Sequence, residues 1–125
     1  VVLAFFPQAF TGVCTDQMCT ISDSFGEFGG MDTEVLGISV DGTFVQKAFA
    51  AEKGIKHALL SDFNREVISK YDMVQEVFAH GMKNTSKRAV VLIGKDGIVK
   101  HIEITENPGV QVNFEALKAA VKSLN

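Results

Sequence analysis

The first six residues, VVLAFF, are apolar without exception, and Pro7 closes the run. A half-exposed strand alternates apolar and polar positions. A short unbroken run rich in β-branched and aromatic residues reads instead as a strand buried on both faces. A second strand is predicted over 34–40 (EVLGISV), ended by the turn signal Asp41-Gly42. Between the two, residues 15–28 are predicted as one helix, with Met18, Ile21, Phe25 and Phe28 on a single face and Gly29-Gly30 as the stop.

The rest of the chain repeats this alternation. A helix is predicted over 43–53 with Phe44, Ala48 and Phe49 facing inward and Lys53-Gly54 as its end. A short apolar segment at 58–60 precedes a third, short helix over 65–71. Residues 73–87 are polar and weakly patterned, so a loop carrying a turn is expected there. Residues 88–93, the turn Gly94-Lys95-Asp96-Gly97 and residues 98–104 form the clearest hairpin signal. Residues 113–124 read as an amphipathic helix, with Phe114, Leu117, Val121 and Leu124 inward and Asn113 as cap. Helices between strands, then a hairpin, predict an α/β fold: one domain over 1–125 with a central mixed sheet flanked by helices.

Composition bounds the function. With 46% hydrophobic and 22% charged residues the 125-residue chain is of ordinary globular type. Its net charge is −3, and its 12 basic residues are scattered, the densest group being Lys83, Lys87 and Arg88. No basic stripe for nucleic acid or for a membrane surface is present. The longest apolar runs fall far short of the roughly 20 residues that span a bilayer, and no basic flank marks a secretory leader. Two cysteines are too few for a secreted disulfide scaffold, so a reducing, cytoplasmic setting is expected.

Both cysteines lie in FFPQAFTGVCTDQMC, at the carboxyl end of the first strand, where open α/β sheets gather their reactive groups. Cys14 falls at or just before the first turn of the predicted helix. Unpaired N–H groups and the helix dipole there favour a thiolate, the reactive form of cysteine. Cys19 lies five positions on, about 7.5 Å along an ideal helix axis and about 140° around it. That exceeds the roughly 7 Å Cα separation a disulfide can bridge. The two sulfurs can therefore pair only if the helix unwinds, which disfavours a permanent staple. A metal site lacks further ligands, because His57, His80 and His101 are widely separated and read as solvated surface residues. The C-x-x-C of a thioredoxin-type site is absent.

The stretch with Pro7, Thr11 and Cys14 resembles the P-x-x-x-[TS]-x-x-C active-site signature of the peroxiredoxins, and KRAVVLIGKDG resembles their second signature, in which an arginine opens a strand. SVD at 39–41 and LLSDFNREVISKY at 59–71 are similar to internal stretches of that family. The C-x₄-C spacing is most like the bacterioferritin-comigratory, or Q-type, subgroup. The resemblance implies a thioredoxin-like fold and a thiol peroxidase acting on hydrogen peroxide and small organic hydroperoxides, without metal or cofactor. Cys14 would be the peroxidatic cysteine, oxidised to sulfenic acid. Thr11 would hydrogen-bond the peroxide, Pro7 would shape and shield the loop, and Arg88 would lie beside the sulfur. The backbone amides of Val13 and Cys14 would complete the cradle. Cys19 would resolve the sulfenate into an intramolecular disulfide, re-reduced by a thioredoxin- or glutaredoxin-like donor.

Other readings stand beside this one. Cys19 can be an apolar helix residue, making a one-cysteine peroxidase resolved by an external thiol. The chain can also be a non-catalytic redox-sensing or interaction module of thioredoxin fold. Phe10 is expected to pack the pocket wall. Gln17 stands where many relatives have a glutamate, and the β-hairpin that normally precedes the first strand in relatives is not in the sequence. The expected assembly is a monomer or a weak homodimer.

Overall fold

The computed structural model describes residues 1–124, apart from the side-chain surroundings of residues 25, 27 and 29. Five strands form a mixed sheet. β1 (Val2–Phe5) is central, with β2 (Val35–Ser39) parallel to it and β3 (Ala58–Ser61) parallel to β2. On the other side β6 (Ala89–Ile93) runs antiparallel to β1, and β7 (Val99–Ile104) antiparallel to β6 completes the order β3-β2-β1-β6-β7.

The unbroken apolar run of β1 follows from its place in this sheet. Val2, Ala4 and Phe6 join one core with Val90 and Leu92, covered by α1 (Gly12–Asp23), α3 (Thr43–Lys53) and α5 (Phe114–Ser123). Leu3 and Phe5 join the opposite core with Ala89 and Val91, where Ile68 of α4 (Glu66–Lys70) packs. Side chains alternate along a strand, so apolar layers on both faces demand an apolar residue at every position. No helix among the described residues is long and apolar enough to cross a membrane.

Several elements differ from expectation. The helix predicted over 15–28 begins earlier, at Gly12, and divides at Ser24 into α1 and α2 (Phe25–Gly30). Ser24 has ψ near 2° and shares its N–H between the carbonyls of Thr20 and Ile21. The sequence beyond it carries three glycines, each costing about 1 kcal/mol in a helix. Met18, Ile21 and Phe28 are buried as predicted, whereas the predicted inward side chain of Phe25 lies outside the described residues.

In α3 the inward face is Gln46 and Phe49, while Phe44 is 90% exposed and Ala48 is also exposed. A buried polar residue disguised that face. Gln46 donates to Ser39 Oγ at 3.0 Å and to the Leu60 carbonyl at 2.9 Å, which satisfies its amide nitrogen inside the protein. In α5, Leu117 and Val121 are buried, Phe114 half-buried and Leu124 exposed, with Asn113 accepting the Ala116 N–H as cap.

The expected loop over 73–87 is instead a separate antiparallel ribbon, β4 (Val74–Val77) and β5 (Lys83–Ser86), joined through a single 3₁₀ turn at Ala79–Gly81. Its strands, VQEV and KNTS, lie largely at the surface, so no apolar period announces them.

Candidate active site

Pro7, buried, ends β1 and turns the chain into a loop that Asp41 holds from the end of β2. The Asp41 carboxylate accepts the Ala9 N–H at 2.8 Å and the Ser39 hydroxyl at 2.8 Å. Phe10 then takes a left-handed backbone (φ 67°), strained for a non-glycine residue, and packs its ring edgewise on Phe49 at 5.0 Å. It packs away from the pocket wall it was expected to form, because that reversal of the chain aims its ring at α3.

Thr11 is the residue that caps α1: its backbone is extended and its carbonyl accepts the Thr15 N–H at 2.9 Å. Its hydroxyl donates to the Gln8 carbonyl at 2.9 Å, leaving the oxygen lone pairs to accept from a ligand. Cys14 is the third residue of α1 and fully buried. Among the described residues, no acceptor meets the N–H groups of Val13 and Cys14. They are orphan donors of a helix start, suited to negative charge.

Arg88 lies immediately before β6 and is only 2% exposed. Its Nη2 donates to Cys14 Sγ at 3.1 Å and to the Pro108 carbonyl at 2.8 Å, its Nε to the same carbonyl at 3.0 Å, and its Nη1 to Gln17 Oε1 at 2.8 Å. Gln17, buried one turn below Cys14, in turn donates to the Phe5 carbonyl at 3.3 Å. A guanidinium has five donors in a rigid fork, and here they tie three segments around one sulfur. Among the described residues the partners of Arg88 are neutral oxygens and the sulfur, with no contacting carboxylate to compete with Cys14 for its charge.

A cavity of about 250 Å³ opens beside this cluster, lined by Thr11, Gly12, Val13, Phe78, Arg88, Pro108 and Gly109. A larger one, about 630 Å³, is lined by residues that include Val1, Glu34 and Ile93, and neither Cys14 nor Arg88 lines it. The Cys14–Arg88 cluster borders the smaller cavity, because the arginine that reaches the sulfur lines it.

Cys19 is also on α1, half-buried, with Sγ 4.0 Å from the Lys53 carbonyl. Both cysteines are free, and the helix between them is continuous. His57 is not the surface residue expected. It is 3% exposed, with Nε2 facing the Met18 carbonyl at 3.4 Å and Nδ1 the Ala58 carbonyl at 3.1 Å. Burial holds its imidazole below the ordinary histidine value, the two carbonyls pulling weakly the other way.

Sequence reasoning missed Asp41 as anchor, Pro108 as acceptor for Arg88, and Phe78 and Gly109 in the cavity. It also missed Gln111, which donates to the Val13 carbonyl at 3.2 Å and the Asp16 carboxylate at 3.0 Å. A proline and a glycine just past the hairpin were the only available signal.

The family model described as AhpC/TSA family matches residues 1–102. The chain belongs to this family, the peroxiredoxins. It is 36% identical over 108 residues to a chloroplastic 2-cysteine peroxiredoxin of Chattonella marina var. antiqua, covering 81% of this chain and 52% of that protein. It is 31% identical over 114 residues to the human mitochondrial thioredoxin-dependent peroxide reductase, covering 86% and 43%. The chain thus spans about half the length of these curated relatives. Among solved structures it resembles a peroxiredoxin-like protein from Aquifex aeolicus, with TM-score 0.89 at 26% identity over 99% of this chain and 71% of that one. Peroxidoxin BcpB from Mycobacterium tuberculosis gives TM-score 0.85 at 25% identity over 99% and 79%. The fold is therefore the thioredoxin-like α/β fold of the peroxiredoxins, with a mixed sheet between helices.

Proposed function

We propose that this chain carries the catalytic centre of a thiol peroxidase that reduces hydrogen peroxide and small organic hydroperoxides through Cys14. The observation that carries this reading is the 3.1 Å hydrogen bond from the buried Arg88 guanidinium to Cys14 Sγ at the start of α1. Charge-assisted donation of this kind favours sulfur as an anion, the nucleophilic form. A peroxide entering the cavity meets Thr11 Oγ1 as acceptor for its O–H, and the Val13 and Cys14 amides and Arg88 as donors for the oxygen that leaves.

The thiolate attacks the terminal oxygen, an S–O bond forms as O–O breaks, and the departing oxygen takes a proton to become water or an alcohol. Cys14 becomes a sulfenic acid. Cys19 is the resolving thiol of this scheme, as the C-x₄-C spacing of Q-type relatives supports. Its sulfur displaces water from the sulfenate to give an intramolecular disulfide, and a thioredoxin- or glutaredoxin-like dithiol restores both thiols. Because both cysteines lie on one continuous helix, α1 unwinds once per turnover. Such a cycle suits a reducing compartment, the cytoplasm by preference.

Stopped-flow mixing of the reduced protein with hydrogen peroxide tests the first half: Cys14 should react orders of magnitude faster than free cysteine, and Cys14→Ser should not react. A rate equal to free cysteine sinks the peroxidase reading. Mass spectrometry after one equivalent of peroxide tests the second half, where a 14–19 bridge within the monomer is expected. A stable sulfenate or an inter-chain bridge removes Cys19 from the scheme, and Cys19→Ser should stop at the sulfenate.

A further inference from the structure

The cavity beside Arg88 is too large and too apolar for hydrogen peroxide alone. A water molecule occupies about 30 Å³ of liquid, and hydrogen peroxide is roughly two such units, so most of the 250 Å³ lies beyond the reacting oxygens. The cavity lining is mostly apolar, with Val13, Phe78, Pro108 and the glycines Gly12 and Gly109 beside the polar Thr11 and Arg88. We propose that Phe78 is a specificity-determining residue that selects hydroperoxides bearing a compact hydrocarbon substituent. This rests on the peroxidase reading of Cys14.

The placement of Phe78 is built into the fold. It follows β4 in extended conformation, and its N–H donates to the Met82 carbonyl at 2.7 Å, closing the turn at the tip of the β4–β5 ribbon. The ribbon pairs with itself rather than with the main sheet, yet its return strand β5 ends two residues before Arg88. The same ribbon thus delivers the apolar wall from one end and leads into the guanidinium at the other. Phe78 is half-buried, and a hydrocarbon group against it, Pro108 and Val13 would remove further apolar surface from water. Hydrogen peroxide has no group to place there.

The chemistry balances as for any hydroperoxide ROOH. The Cys14 thiolate takes the terminal OH, the O–O bond breaks, sulfur is oxidised to sulfenic acid, and RO⁻ takes up a proton to leave as ROH. Only R touches Phe78.

The test compares second-order rate constants for Cys14 oxidation by cumene hydroperoxide and by hydrogen peroxide in the wild type, Phe78→Leu and Phe78→Ala. The expected result is a loss of roughly tenfold for cumene hydroperoxide in Phe78→Ala, with Phe78→Leu between, while the hydrogen peroxide rate changes by less than about twofold. Equal losses for both peroxides would show that Phe78 supports the site as a whole, and unchanged rates for both would show that it does not meet substrate. Either result overturns the inference while leaving the peroxidase reading intact. A wild type that reacts with neither peroxide removes both. Thermal melting of each variant checks that a surface ribbon residue has not been exchanged for a folding defect.

Discussion

The two ends of α1 are held by different kinds of contact. At its start, Cys14 and Gln17 are fully buried and fastened to Arg88 by bonds of 3.1 and 2.8 Å, and Gln111 clamps Val13 and Asp16 from outside. Further along, Met18 and Ile21 are buried, but among the described residues the side-chain hydrogen bonds are few and reach one segment, residues 53–57. Cys19 lies 4.0 Å from the Lys53 carbonyl, Ser22 Oγ accepts the Lys56 N–H at 2.8 Å, and His57 meets the Met18 carbonyl at 3.4 Å. The difference teaches how one helix can serve two tasks. A charge-assisted network holds Cys14 in place, while a few neutral contacts secure the stretch that carries Cys19, which on the proposed cycle is the part expected to open first.

The largest effect should come from cutting the first kind of contact. Arg88→Met removes the donor to Cys14 Sγ and leaves the Pro108 carbonyl and Gln17 Oε1 without their partner. Loss of a preorganised charged donor should slow Cys14 oxidation by about a hundred- to a thousandfold. The orphaned Gln17 acceptor, which is fully buried, should cost about 1–3 kcal/mol in urea unfolding, and the half-buried Pro108 carbonyl less. Arg88→Lys, with one ammonium in place of a fork, should recover only part of the rate. A full rate in Arg88→Met would mean that the front of α1 owes its reactivity to the helix start alone.

Much of this front was legible in the sequence, because its signals are local. VVLAFF is apolar at every position since β1 faces two cores, and Pro7, Thr11 and Cys14 fall within eight residues of one another. The peroxiredoxin family and its α/β fold followed from those residues and from the strand opened by Arg88. What the sequence hid was set by distance along the chain or by surface polarity. Pro108 meets Arg88 from 20 residues away, and nothing local to either announces it. The β4–β5 ribbon has no apolar period, Gln46 passes for a surface residue until Ser39 and Leu60 meet it, and His57 is buried by elements far from it in sequence.

The second kind of contact gives a smaller, opposite effect. Ser22→Ala deletes the acceptor for the Lys56 N–H, at a cost of about 1 kcal/mol to the folded form of the rear half of α1. If that half opens before Cys19 reaches Cys14, the opening equilibrium rises by roughly fivefold and disulfide formation accelerates by the same factor. Rapid-quench mass spectrometry of the 14–19 bridge measures this, with the preceding oxidation of Cys14 as internal control. An unchanged bridging rate would place the opening at the front of the helix and break the comparison.

The smallest effect is one of pH. His57 is held below its ordinary value of 6.5 by burial, with no charged side chain among the causes. Between its folded and unfolded values the unfolded chain binds the extra proton, so stability rises with pH across that window. The contribution is therefore complete above about 6.5 and is lost as pH falls toward the folded value. Urea midpoints for the wild type should decline on going from neutral to mildly acidic solution, and His57→Gln should remove that part of the slope, leaving what the carboxylates contribute at lower pH. Amide exchange should locate the loss: the rear half of α1, whose Met18 carbonyl His57 faces, should lose protection before the front half tied to Arg88. Identical slopes in the two proteins would show that residues 53–57 hold the helix through Ser22 and apolar packing, with no part for the imidazole.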